Sequence, residues 1–256
     1  MRLDIFLTEK GYFSTRSKAL LAIKDGDIIV DGKVILKPGY DVSENNLIVV
    51  NEKNNLFVSR GGYKLLEAIN KFNLDFTDKI VLDVGASTGG FTDCSIQNGA
   101  KLVYAVDVGT DQLDDKLRNH PKVISMEQTN IKDVLKLDNK IDYIVMDVSF
   151  VSIDQIIPHL VRFMSDNTKF ICLIKPQFEA GVKNIGKGGI VKDKKIHEQI
   201  LENKLVFFRK NNMNVLNLIP SPIKGKAGNI EYLALVELSD KISNINCKKV
   251  VLEAFK

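Results

Sequence analysis

The chain has 256 residues, 45% of them hydrophobic and 27% charged, with a formal net charge of +4. That length suits one large domain, or a medium domain with a small companion, and the balance is ordinary for a globular protein. The start, MRLDIFLTEKG, is too charged and too short in its apolar run for a signal peptide, and runs such as residues 170–174 are far too short to span a bilayer. No membrane insertion is expected, and a cytoplasmic protein is. Cys94, Cys172 and Cys247 are odd in number and far apart, so neither a metal cluster nor a disulfide framework is expected. His120, His159 and His197 are isolated and take no metal or catalytic role. From residue 175 to 230, eleven Lys/Arg stand against four acids. Such asymmetry points to a polyanionic partner.

Residues 1–55 read as a separate compact unit. Leu3, Phe6 and Leu7 form a short helical stripe stopped by Gly11. Ser14 reads as the cap of a second helix carrying Ala19, Leu20, Ala22 and Ile23, with Gly26 as its stop. Asp31-Gly32 between two β-branched runs signals a hairpin, and residues 47–50 add a strand. The polar NEKNN at 51–55 reads as a linker.

The larger domain spans 56–240 and opens with VSRGGYKLL, after which helical spacing resumes at Leu65, Leu66, Ile69 and Phe72. Residues 79–91, KIVLDVGASTGGF, then read as a buried strand, a glycine turn and a helix start. Residues 102–108, LVYAVDV, form a second strand ending in Asp107. A glycine loop with an acid about 20 residues later is how a doubly wound sheet holds a ribose-bearing cofactor. Further strands are expected at 123–126, 141–147, 168–174, 213–219 and 231–237, with helices at 152–164 and 194–209 and a glycine-rich loop at 182–191. The alternation implies a mostly parallel α/β sheet, Rossmann-like, with helices on both faces. Residues 241–256 are a C-terminal tail, a final helix or disordered.

Ligands in such sheets bind beyond the carboxyl ends of the strands. Asp83, Asp107, Asp147 and Lys175 all fall at such ends, and Lys64 and Glu231 lie on flanking elements able to reach them. The loop lacks both the GK[ST] of a triphosphate site and the G-x-G-x-x-G of a dehydrogenase.

Two resemblances sharpen this reading. MRLDIFL, STRSKA and GDIIVDGK resemble the S4 RNA-binding domain. That likeness implies RNA contacts from Arg2, Arg16, Lys18, Lys24 and Lys33, although residues 1–60 hold nine basic and eight acidic side chains. SRGGYKL, LDVGASTGGFTD, MDVSF, IKPQFE, GKGGIV and NIEYL, in that order behind an S4-like unit, resemble the TlyA family, often labelled hemolysin A, over essentially the whole chain. Lys64, Asp147, Lys175 and Glu231 match the Lys–Asp–Lys–Glu tetrad of the FtsJ-like 2′-O-ribose methyltransferases.

The resemblance implies a seven-stranded methyltransferase sheet that uses S-adenosylmethionine and acts on cytidine 2′-hydroxyls of ribosomal RNA. Lys175 is then the general base, Lys64 the second cation, and Asp147 and Glu231 the groups that orient them. Asp83, Gly85, Ala86, Ser87, Gly89, Gly90, Phe91, Asp107 and Asn130 become cofactor-binding candidates, with Phe91 the one best suited to core packing. Arg60 and Lys187 join the RNA-binding set, and the partners are ribosomal RNA or ribosomal subunits. Two other readings stand beside it: a ribosome-binding factor without catalysis, and the cytolysin of the hemolysin label. Oligomeric state carries no sequence signal.

Overall fold

The computed structural model describes residues 1–50, 56–186, 188–225 and 227–256. The stretch 51–55, expected as a linker, and Lys187 lie outside the described residues. The chain divides into two compact units, Met1–Leu56 and Phe57–Lys256.

In the first unit, α1 (Leu3–Glu9) and α2 (Arg16–Asp25) precede β1 (Ile28–Val30), β2 (Lys33–Val34) and β3 (Ile48–Val50). Asp31 and Gly32 both take positive φ, 48° and 78°. Such a turn matches the twist of an antiparallel pair, and Val30 pairs with Lys33 across it. β3 joins the other edge of β1. Leu3, Leu7, Ala19, Ile23 and Ile28 close a small core between helices and sheet. Thr15, not Ser14, caps α2, its side chain accepting from the Lys18 amide.

The second unit runs α3 (Gly61–Phe72), β4 (Ile80–Val84), α4 (Gly90–Gln97), β5 (Leu102–Val106), α5 (Asp115–Arg118), β6 (Val123–Met126), β7 (Tyr143–Met146), α6 (Ile157–Leu160), β8 (Lys169–Ile174), α7 (Pro176–Glu179), α8 (Lys194–Lys210), β9 (Met213–Pro220), β10 (Tyr232–Leu238) and α9 (Cys247–Ala254). One seven-stranded sheet has the order β6-β5-β4-β7-β8-β10-β9. The first five strands are parallel, and β10 is antiparallel to both its neighbours. Alternate residues feed two cores. Leu82, Ile144, Phe170 and Cys172 face one side, while Val81, Val145, Ile171 and Leu173 face the other. Burial on both faces explains why these strands read as continuous apolar runs.

One expected helix changes. The helix expected over 152–164 is broken into a 3₁₀ turn at Ile153–Gln155, the single turn of α6 and a second 3₁₀ turn at Val161–Phe163. Pro158 lacks an amide proton, and its ring crowds the carbonyl four residues back. Of the two readings of residues 241–256, the final helix is the one present: α9 buries Cys247, Val250 and Val251 in the core that also holds Phe208 and Met213.

Candidate active site

The strand order reverses between β4 and β7, with β5 and β6 added on one side and β8 on the other. Such a switch point opens a crevice beyond the carboxyl ends of the strands. Val84 pairs with Met146, so Gly85 and Asp147 leave the sheet side by side. A Cβ on Gly85 would stand 3.2 Å from the Asp147 carbonyl oxygen. Lys175 follows β8 directly. Because β10 returns antiparallel to β8, its first residue, Tyr232, pairs with Ile174. Glu231 therefore arrives at the edge that Lys175 occupies. Lys64 is supplied by the buried face of α3, beside Leu65 and Ala68.

These four side chains form one ionic network. Lys64 Nζ lies 2.7 Å from Glu231 Oε2 and 3.3 Å from Asp147 Oδ2. Lys175 Nζ lies 2.5 Å from Asp147 Oδ1 and donates to Ser149 Oγ at 2.8 Å. Gln177 Nε2 donates to Glu231 Oε1 at 3.2 Å. Lys64, Lys175 and Glu231 are 8%, 6% and 3% exposed, and their mutual pairing offsets the cost of burying ionisable groups. Burial works against the Lys64 charge, yet Asp147 and Glu231 outweigh it and hold the amine above the ordinary lysine value. Burial likewise opposes the Asp147 anion, and Lys64 and Lys175 outweigh that and hold it below the usual carboxylate range.

On the glycine-loop side, Asp83 is fully buried and accepts from Thr92 Oγ1 at 2.6 Å through Oδ2. Its Oδ1 is buried without a hydrogen-bond partner. Burial, aided by nearby Asp147 and Asp107 and opposed by Thr92, pushes this carboxyl up to about 7. A cationic donor such as an amino group would satisfy the orphaned oxygen and favour the anion. Asp107 accepts from the Ser87 amide at 2.9 Å and the Gly109 amide at 2.7 Å. It thereby ties the glycine loop to the segment after β5, while each oxygen keeps a lone pair for a further donor.

Several expected cofactor residues also serve the fold. Phe91 is 3% exposed and packs with Leu65, Val81 and Cys94; it is a core residue, because its face of α4 lies on the sheet. Asn130 caps the 3₁₀ turn Ile131–Asp133 by accepting from the Lys132 amide. Ala86 is buried beside Leu113 and Leu117. The glycines at 89 and 90 make room for protein on the side where a side chain would stand. A Cβ on Gly89 would meet Leu117 at 2.3 Å, and one on Gly90 would meet Ser59 Oγ at 2.3 Å and the Gly62 amide at 2.9 Å. Gly90→Ala should cost about 1–3 kcal/mol through overpacking, read as a lower urea midpoint at constant m. An unchanged midpoint would show that the seam between α3 and α4 yields.

The residues expected to meet RNA are spread out. Arg2 and Arg16 come together on the buried Asp4, at 2.9 Å and 2.7 Å, each guanidinium about half exposed. Lys24 and Lys33 are exposed on the same unit, and Lys18 reaches Ser14 Oγ at 3.2 Å. In the second unit, Arg60 donates to the Lys224 carbonyl. Sequence reasoning missed Ser149, Gln177 and Phe150. Phe150 is 92% exposed, takes φ 67°, and stands 5.3 Å from the Phe178 ring. Only its place three residues after Asp147 could have flagged it. No helix among the described residues is long and apolar enough to cross a membrane.

Comparison with known proteins agrees with the two units. The FtsJ-like methyltransferase model matches residues 57–237, and the S4 domain model matches residues 1–48. Hemolysin A of Brachyspira hyodysenteriae is 43% identical over 237 residues, covering 91% of this chain and 98% of that protein. The 16S/23S rRNA (cytidine-2′-O)-methyltransferase TlyA of Mycobacterium tuberculosis is 35% identical over 234 residues, covering 90% and 87%. A solved structure from Streptococcus thermophilus that carries a hemolysin label is 41% identical, with a TM-score of 0.78, over 100% of this chain and 95% of that one.

Proposed function

The chain belongs to the FtsJ-like methyltransferase family, in its S4-bearing TlyA (hemolysin A) branch, and from that premise we propose that it methylates cytidine 2′-hydroxyls of ribosomal RNA in the cytoplasm. One observation carries the proposal. Lys64, Asp147, Lys175 and Glu231, separated by 83, 28 and 56 residues in sequence, share one buried ionic network beside the glycine loop.

S-adenosylmethionine, when bound, supplies an activated methyl group on a positively charged sulfur. The chain's part is to hold that cofactor and to prepare the nucleophile. Asp83 Oδ1 is suited to the amino group and Asp107 to the ribose hydroxyls, with Gly85 and Ser87 shaping the turn between them. A ribose hydroxyl is a poor nucleophile and must lose its proton as it attacks. Lys64 lies between two carboxylates and keeps its charge, so it steadies the developing alkoxide. The base role therefore falls to Lys175, which takes the proton at Nζ from its neutral state. Asp147 orients both amines, and Glu231, held by Gln177, orients Lys64. Holding hydroxyl and methyl in line supplies much of the rate.

An exposed ring beside such a site is a surface on which an unstacked base can lie. Phe150→Ala should weaken binding of the substrate nucleotide by about 1–3 kcal/mol, seen as a raised KM for ribosomal subunits with cofactor affinity unchanged. An unaltered KM would remove Phe150 from substrate recognition.

The proposal is tested by incubating the protein with labelled S-adenosylmethionine and ribosomal subunits from cells lacking it, then mapping ribose methylation. New 2′-O-methylcytidine is the expected result. Labelled base positions, or no label despite cofactor binding by titration, would overturn it.

A further inference from the structure

A second buried ionic cluster lies outside the tetrad. Glu179, the last residue of α7, has a side chain 2% exposed, and Lys204 of α8 has one 7% exposed. They pair at 2.6 Å, and Lys204 also pairs with Asp154 at 2.7 Å. Glu179 has two further partners. Its Oε2 accepts from Ser152 Oγ at 2.7 Å, and its Oε1 from the Ile153 amide at 2.9 Å. Ser152 in turn caps the 3₁₀ turn that follows it.

The position of α7 gives these contacts meaning. This one-turn helix starts immediately after Lys175, whose amine reaches Asp147 and Ser149. Gln177 reaches Glu231, Phe178 lies against Phe150, and Glu179 reaches Ser152 and Ile153. The loop after β7 is thus fastened to α7 at both ends, once through Lys175 and once through Glu179. The second fastening touches none of the tetrad side chains.

We propose that Glu179 is a positioning residue for methyl transfer. Its bonds to Ser152 and Ile153 hold the loop carrying Asp147 and Ser149 in register with Lys175. Lys204 pairs with the buried carboxylate and holds it in place. The inference rests on the methyltransferase reading for its consequence, but not for the geometry it describes. Small displacements of reacting groups are costly, with about a 1 Å error worth on the order of 100-fold in rate, so a fastening several residues away controls the chemistry.

Removing Glu179 alone would strand the Lys204 charge and confuse positioning with folding. The comparison is therefore between E179Q/K204M, whose amide oxygen can still accept from the Ile153 amide while its nitrogen donates to Ser152 Oγ, and E179A/K204M, which keeps neither contact. The expected kcat lies within about threefold of wild type for the first and about 10- to 100-fold lower for the second. KM for ribosomal subunits and cofactor affinity should stay within about twofold in both, and E179A/K204M should melt lower than E179Q/K204M, with both folded at the assay temperature. Amide exchange at Ile153 should be at least about tenfold faster in E179A/K204M, with β7 unchanged. Equal kcat in the two double variants, or a loss that tracks lowered cofactor affinity, would overturn the proposal, as would unchanged exchange at Ile153. If wild type transfers no methyl group to ribosomal RNA, the proposed function fails. The exchange experiment still decides whether Glu179 holds the loop.

Discussion

Replacing Lys175 with methionine should slow single-turnover methyl transfer by between about 100- and 10,000-fold, the span that a general base contributes. Cofactor affinity should stay within about threefold, because the cofactor side of the site is held by other partners. Asp83 is fixed by Thr92, and Asp107 by the amides of Ser87 and Gly109. Methionine retains most of the buried lysine stem, so the substitution removes the amine without opening a large void. Asp147 keeps Lys64 at 3.3 Å and is not stranded. Transfer within tenfold of wild type would end Lys175's candidacy as the base and move attention to Lys64.

The path of the backbone was more legible than the direction of its side chains. A buried strand, a glycine turn and an acid at the end of the next strand mark a switch-point crevice from pattern alone, since each feature is local. Glu231 was harder, because it precedes its strand rather than ending it. Only the antiparallel return of β10 beside β8 brings that amino end to the carboxyl edge, and periodicity does not encode strand direction. The tetrad was therefore reached through family likeness and not through spacing.

Glycines 89 and 90 show a related limit. Their spacing signals close approach, but not what approaches, and on the side of the missing side chain it is Leu117 and the start of α3. Phe91 sits inside the motif and faces the core for the same reason: a motif fixes the chain's course, while the helix phase decides each side chain's partner. Ser149, Gln177 and Glu179 lie next to residues that were recognised. What they do is set by tertiary hydrogen bonds that no linear pattern carries.

Asp147→Asn should be the most damaging change to stability within the tetrad. Asparagine preserves the shape and removes the anion that Lys64 and Lys175 share. Two buried amines then face one carboxylate, Glu231, which of the pair contacts Lys64. Breaking a buried pair from one side costs about 3–5 kcal/mol. The Asp147 side chain is 20% exposed, which favours the lower end, about 3 kcal/mol. In a domain of this size that corresponds to a melting temperature lower by roughly 6–12 °C.

The pH dependence follows from the direction of the shifts. The Asp147 carboxyl is held below its ordinary value, so its stabilisation is present above the unfolded carboxylate range and is lost as pH falls through the folded value. Lys64 is held above its ordinary value, so its share is complete below the unfolded lysine range and is lost only as pH climbs through the folded value. The melting-temperature gap between wild type and Asp147→Asn should therefore be full near neutrality and close as pH falls through the folded carboxyl's value, beneath the ordinary carboxylate range, where both side chains are uncharged. A gap that stays constant across that range would mean that Asp147 is not the anion on which the two lysines depend.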